Sequence, residues 1–204
     1  AIGGLLIRQV NLLQTIALNR PLKARLEVIN ASYVGDPADI QAQLQEVDQR
    51  WVSAADSDFL VRAHLNDMSA KEFRQFRTDF PDHVEVFMAD QYGALVSATD
   101  RTSDYYQADE EWWQAAFNNG RGGIYVGQPE YDASSATFGV NIAVPVYAHD
   151  TRNVIGVLRS TYRMAALTNL LAAARLGQTG GAHLYVPGDQ TVVLGDTGLV
   201  VSAD

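Results

Sequence analysis

The sequence predicts an α+β fold, with a helical first part followed by a five-stranded antiparallel sheet. Two observations carry this. Through about residue 80 the apolar residues recur at helical spacing, and from His83 onward they alternate or run in short strand-like blocks. The strands follow one another mainly through short turns, which favours antiparallel pairing over a βαβ array. The chain of 204 residues is long enough for one well-buried core plus a fragment of another.

The first helix carries Leu6, Val10, Leu13 and Ala17 at alternating spacings of four and three, with Ile2, Leu5, Leu12 and Ile16 widening the apolar face. This seam suits either a core-facing helix or a dimer-forming stalk. Pro21 either kinks that helix or opens a second one with Asn19 near its cap. Asp36 and Pro37 mark the start of the next, whose Ile40, Leu44, Val47 and Trp51 share a face. A third begins at a capping box of Ser69 and Glu72, buries Phe73, Phe76 and Phe80, and ends at Pro81.

Val84–Met88 and Ala94–Ala98 read as strands flanking the turn Asp90-Gln91-Tyr92-Gly93. A helix rich in Tyr and Trp follows, then Ile124–Val126, a loop containing Pro129–Asp132, and a long strand from Phe138 to Tyr147. Pro145 in that strand implies an edge position or a bulge. Val154–Tyr162 is the fifth strand, and a helix from Met164 to Leu176 stops at Gly177. The tail from Gly180 has two short strands, around His183–Val186 and Thr191–Leu194, and reads as the start of a second small module or a flap.

Composition narrows the function classes. A formal net charge of -9 disfavours nucleic acid and anionic membrane surfaces, both of which call for clustered Lys and Arg. The absence of Cys excludes disulfides, thiolate chemistry and Fe–S clusters. His64, His83, His149 and His183 are scattered without metal-ligand spacing, so neither a metal nor a cofactor is expected. There is no Gly-x-Ser-x-Gly elbow, no phosphate loop ending in Gly-Lys-Ser/Thr and no evident carboxylate dyad. No apolar run reaches the roughly 20 residues of a membrane helix. The opening Ala1–Ile7 reads as a segment just beyond a membrane span, or equally as a plain buried helix start.

From Val84 to Leu167 five pieces occur in order: the Asp90–Gly93 hairpin turn, the Tyr/Trp stretch Asp104–Ala116, the loop Pro129–Asp132, the strand ending Ile142–Tyr147, and the strand Val154–Arg159 leading into a helix. In this order they resemble the Cache family of extracellular sensors, especially the double-Cache type of histidine kinases, cyclases and chemoreceptors. The resemblance implies a PAS-like sheet with a ligand pocket on one face, in the extracytoplasmic part of a membrane-anchored protein that works as a homodimer and signals to a cytoplasmic output domain. It divides the chain into a stalk helix (1–35), a membrane-distal ligand-binding domain (36–168), and a hinge helix with part of a membrane-proximal module (169–204).

Amino-acid-binding members of that family hold the ligand carboxylate with an Arg and aromatic residues, and the amine with an Asp on the last strand. By resemblance the aromatic positions fall at Tyr105, Trp112 and Trp113, with the later Tyr at Tyr131. Glu110 stands at the Arg position and Thr161 near the Asp position, so both charged anchors are missing. Replacing a cationic fork by a carboxylate reverses the preferred ligand charge. The expected ligand is therefore a small neutral or cationic solute, such as an amine, walled by Tyr105, Tyr106, Trp112, Trp113 and Tyr131, with Glu110 or Asp132 as counter-charge. Arg159 or Arg163 facing the pocket would restore carboxylate binding. Neighbouring Trp112 and Trp113 point about 100° apart on a helix, so one of them belongs to the core. The alternatives are a ligand-free dimerisation module built on the first helix, and a free-standing α+β enzyme.

Overall fold

The computed structural model describes residues 2–132, 137–163, 183–186, 190–195 and 198–203, with side chains for 5–129 and 139–163. Five helices come first: α1 (Ile2–Ala17), α2 (Arg20–Ser32), α3 (Pro37–Ser53), α4 (Phe59–Leu65) and α5 (Met68–Asp79). Side-chain carboxylates or amides start most of them. Asn19 Oδ1 accepts from Leu22 N at 3.4 Å, and Asp36 Oδ1 accepts from Ala38 N and Asp39 N at 2.9 and 3.1 Å. Pro21 and Pro37 occupy first-turn positions that need no amide donor, so Pro21 opens α2 rather than kinking α1.

The expected capping box is displaced. Asp67, not Ser69, caps α5 by accepting from Ala70 N at 2.7 Å. Asp67 Oδ2 meanwhile receives the Ser97 hydroxyl and the Arg25 guanidinium, at 2.5 and 2.8 Å, so tertiary partners fix the cap. Ser69 is buried in the first turn. Phe73 and Phe76 are buried as expected, whereas Phe80 is the C-cap residue and 43% exposed.

The sheet contains β1 (His83–Asp90), β2 (Leu95–Ala98), β3 (Tyr125–Asp132), β4 (Thr137–Tyr147) and β5 (Val154–Arg163), in the order β2-β1-β5-β4-β3 and antiparallel throughout. This is the PAS-like arrangement, in which the first and last strands meet at the centre. Pro129–Asp132, expected as a loop, ends β3 and pairs with β4 beyond a register shift between Val126 and Pro129. Pro145 lies past Ala143, the last β4 residue paired with β3, so the amide it lacks is not needed there. The Asp90–Gly93 turn forms as expected: Asp90 Oδ1 accepts from Tyr92 N and Ala94 N, and Gly93 takes φ +81°.

The Tyr/Trp helix is shorter than expected, and α6 spans only Glu111–Phe117. Ahead of it, Asp48 on α3 accepts the backbone amides of both Tyr105 and Tyr106, at 2.6 and 3.0 Å, and Ala94 bridges to Tyr106. A carboxylate oxygen taking two successive amides bends the chain at that point and keeps it out of the helix that its composition favours.

The sheet is apolar on both faces. On one, Val10, Leu13, Ala17, Leu22, Leu26, Phe73 and Phe76 pack against Val86, Met88, Val140, Ile142, Val144 and Leu158. The seam of α1 therefore faces its own sheet, and Leu13 is 0% exposed. On the other face Ile40, Leu44, Trp51, Tyr105, Trp112 and Trp113 cover Phe87, Ala89, Ala143 and Val157. A separate three-stranded antiparallel sheet joins β6 (His183–Val186), β7 (Gln190–Gly195) and β8 (Gly198–Ala203), one strand more than expected. The expected helix Met164–Leu176 and the Gly177 stop lie outside the described residues.

Candidate ligand-binding face

Strand register assembles the site on the sheet face covered by α6. Glu85 stands opposite Thr161, Phe87 opposite Arg159, Asn141 opposite Thr161, and Ala143 opposite Arg159. Period-two alternation thus brings Glu85, Phe87, Asn141, Arg159 and Thr161 onto one surface across three strands. All four polar members are buried: Glu85 is 1% exposed and Arg159 is 8%.

Their mutual geometry is compact. Arg159 Nη1 donates to Glu85 Oε2 at 3.4 Å, and the Thr161 hydroxyl lies 2.9 Å from Asn141 Oδ1 and 3.5 Å from Glu85 Oε2. The Arg159 guanidinium sits 5.0 Å from the ring centroid of Phe87 and 5.4 Å from that of Trp112. Those two rings meet edge-to-face at 5.4 Å and 88°. Burying an ion pair is costly unless it is well surrounded. Aromatic faces and neutral polar groups provide that surrounding here.

The sequence-predicted residues fall into distinct places. Trp112 and Thr161 belong to this cluster. Trp113 turns away, stacks on Phe117 at 4.6 Å and donates its indole N–H to the Asp90 carbonyl at 3.3 Å. Tyr105 is buried beside Trp51 and His64, with ring centroids 5.9 and 5.2 Å away, and burial raises its phenol pKa. Tyr106 is partly buried, its pKa raised by burial and then by Asp109. Glu110 is exposed at the N-cap of α6, where its carbonyl accepts from Trp113 N and Gln114 N. Tyr131 and Asp132 lie on β3 opposite Phe138 and Thr137, and their side chains lie outside those described. Arg163 ends β5 exposed.

The buried carboxylate of the face is thus Glu85, which was passed over in the sequence. Its signal was a lone charge in His83-Val84-Glu85-Val86-Phe87-Met88, in register with Phe87. Among the described residues no group of His, Asp and Glu is arranged to hold a metal, and no helix is long and apolar enough to cross a membrane.

No family model matches the chain, and no curated protein does. Solved structures similar to it include the ligand-binding domain of the Campylobacter jejuni chemoreceptor Tlp3 in complex with 4-methylisoleucine, at 14% identity, TM-score 0.41, covering 82% of this chain and 62% of that one. Another is the extracellular domain of rpHK1S-Z16, described as a candidate histidine kinase, at 13% identity, TM-score 0.46, covering 89% and 66%. A third is the ligand-binding domain of the Pseudomonas fluorescens chemoreceptor CtaA in complex with L-serine, at 11% identity, TM-score 0.41, covering 78% and 89%. The chain spans less than two thirds of the Tlp3 and rpHK1S-Z16 domains.

Proposed function

We propose that this chain is the extracytoplasmic small-molecule sensor domain of a membrane-anchored signalling protein and is not itself catalytic. The observation that carries the reading is the buried polar cluster of Glu85, Asn141, Arg159 and Thr161, set into an otherwise apolar sheet face beneath Trp112. Convergent polar groups in an aromatic surround are among the features that fix a solute's orientation in a binding site. The non-catalytic reading is supported by the placement of His64 and His83. The half-buried His64 has its Nδ1 bound to the Leu60 carbonyl, and the buried His83 lies on the opposite face of the sheet.

The ligand is a small neutral or cationic solute. Arg159 is already faced by Glu85, so the cluster carries no net positive charge to attract an isolated carboxylate. Residues 36–168 form the ligand-binding domain, and 169–204 open a membrane-proximal module. The helices of residues 1–35 complete the core, and therefore feel any rearrangement of the sheet. In a full-length homodimer the contact is made elsewhere than the α1 seam.

A thermal-shift screen of the purified chain against amines, sugars, amino acids and organic acids tests the proposal. A neutral or cationic solute is expected to raise the midpoint, by the equivalent of about 2.7 kcal/mol at 100 times its Kd, and Trp112→Ala is expected to abolish the shift. Shifts confined to organic acids would overturn the ligand class. A flat response across the library would overturn the sensor reading in favour of a ligand-free module.

A further inference from the structure

Arg159 fills the centre of the candidate face with a charge that the apolar packing there does not call for. Its guanidinium lies over two aromatic rings contributed by different elements, Phe87 on β1 and Trp112 on α6, with the Glu85 carboxylate at its edge. None of the three belongs to the strand that carries Arg159: Glu85 and Phe87 come from the paired strand β1 and Trp112 from α6, so the groups that surround the cation are supplied by other elements. Two aromatic walls and one carboxylate within reach are the chemistry that recognises a planar, weakly hydrated organic cation.

Building on the sensor reading above, we propose that Glu85, Phe87 and Trp112 form a binding site for a small alkylguanidinium-type cation, and that Arg159 occupies this site as a tethered ligand. A solute of this class binds by displacing the Arg159 head group from Glu85. The tether confers an effective concentration on the order of millimolar, so the resting domain is held in one defined arrangement and a solute must compete for it. Displacement supplies the second arrangement, with different affinity for the solute, that any ligand-driven switch needs. It also moves β5 residue Arg159 relative to β1 at the centre of the sheet.

The experiment removes the tether and returns the head group. Arg159→Ala is titrated with methylguanidinium chloride up to about 10 mM, far below denaturing concentrations, with sodium chloride as the matched control. Its thermal midpoint is expected to rise saturably with methylguanidinium and not with sodium. The wild-type chain should need at least tenfold more solute for the same shift, and Arg159→Ala/Glu85→Gln should lose the response. A folded Arg159→Ala that responds no more than the wild type overturns the proposal. Should Arg159→Ala fail to fold alone, recovery of its circular dichroism on refolding with methylguanidinium supports the proposal, and a chain that stays unfolded at every concentration overturns it. Rescue of the variant with no hit in the wild-type library would leave this site standing and remove the sensor reading. A library hit without rescue would do the reverse.

Discussion

The Tyr33 hydroxyl donates to Asp90 Oδ2 at 2.5 Å, tying the end of α2 to the end of β1. Asp90 is fully buried, and its other oxygen serves the amides of Tyr92 and Ala94. Burial pushes its carboxyl pKa up, with the hydrogen bonds from Tyr33 and the turn amides opposing that shift. Burial, and then the Asp90 charge, raise the Tyr33 phenol. Tyr33→Phe therefore strands a buried carboxyl oxygen and is expected to cost about 1–3 kcal/mol. Urea unfolding with an unchanged m-value checks this, and a loss under about 0.5 kcal/mol would mean the bond contributes little.

His83 should make the fold acid-sensitive. It is buried between Phe76 and Tyr162, its Nε2 lies 3.0 Å from Gln9 Oε1 and its Nδ1 lies 2.7 Å from the Ser160 hydroxyl. Burial lowers its pKa from 6.5 to about 4. Between those values the unfolded chain binds a proton that the folded chain refuses, so stability is full above about pH 6.5 and falls as pH drops toward 4, by about 3 kcal/mol. Urea midpoints at pH 7.5 and 5 should differ less in His83→Gln than in the wild type. His64, also lowered by burial, acts in the same direction, so the profile flattens without becoming level.

Two glycines separate backbone strain from steric conflict. Gly120 takes φ +78° with open space where a Cβ would stand. Gly93 takes φ +81° with Ala108 Cβ and N both 2.5 Å from that point. Gly120→Ala should cost about 1 kcal/mol, and Gly93→Ala about 3 kcal/mol or more. Equal losses in chemical denaturation would show that the Ala108 segment yields freely.

The seam of α1 can be tested as core. Leu13→Ala is expected to cost about 2–5 kcal/mol, while Ile7→Ala, at a site 61% exposed, should stay within about 0.5 kcal/mol. The Leu13 loss should not vary with protein concentration, as it would if the seam held two chains together.

The strands were legible because the short apolar block Val84–Met88 and the alternation in Phe138–Val146 are local signals. The non-helical backbone around Tyr105 and Tyr106 was not, because it is set by Asp48, more than fifty residues away in sequence. Asp67 displaced Ser69 as a cap for the same kind of reason, through Arg25 and Ser97. At the candidate site, Trp112 and Thr161 were reached through the family resemblance. Glu85 and Arg159 stand 74 positions apart, and only the β1–β5 register shows that they meet.

That register also has a mechanical meaning. His83 pairs with Tyr162, and Arg163 N donates to the Asp82 carbonyl at 2.7 Å, so the chain comes into β1 and leaves β5 at the same end of the sheet. Tension between the segment before β1 and the segment after β5 loads the ladder one rung at a time from that end, in the manner of a zipper, rather than shearing all rungs together. A pull or twist relayed along the flanking chain would therefore meet the Asp82–Arg163 rung first and reach the Glu85–Thr161 and Phe87–Arg159 pairs next.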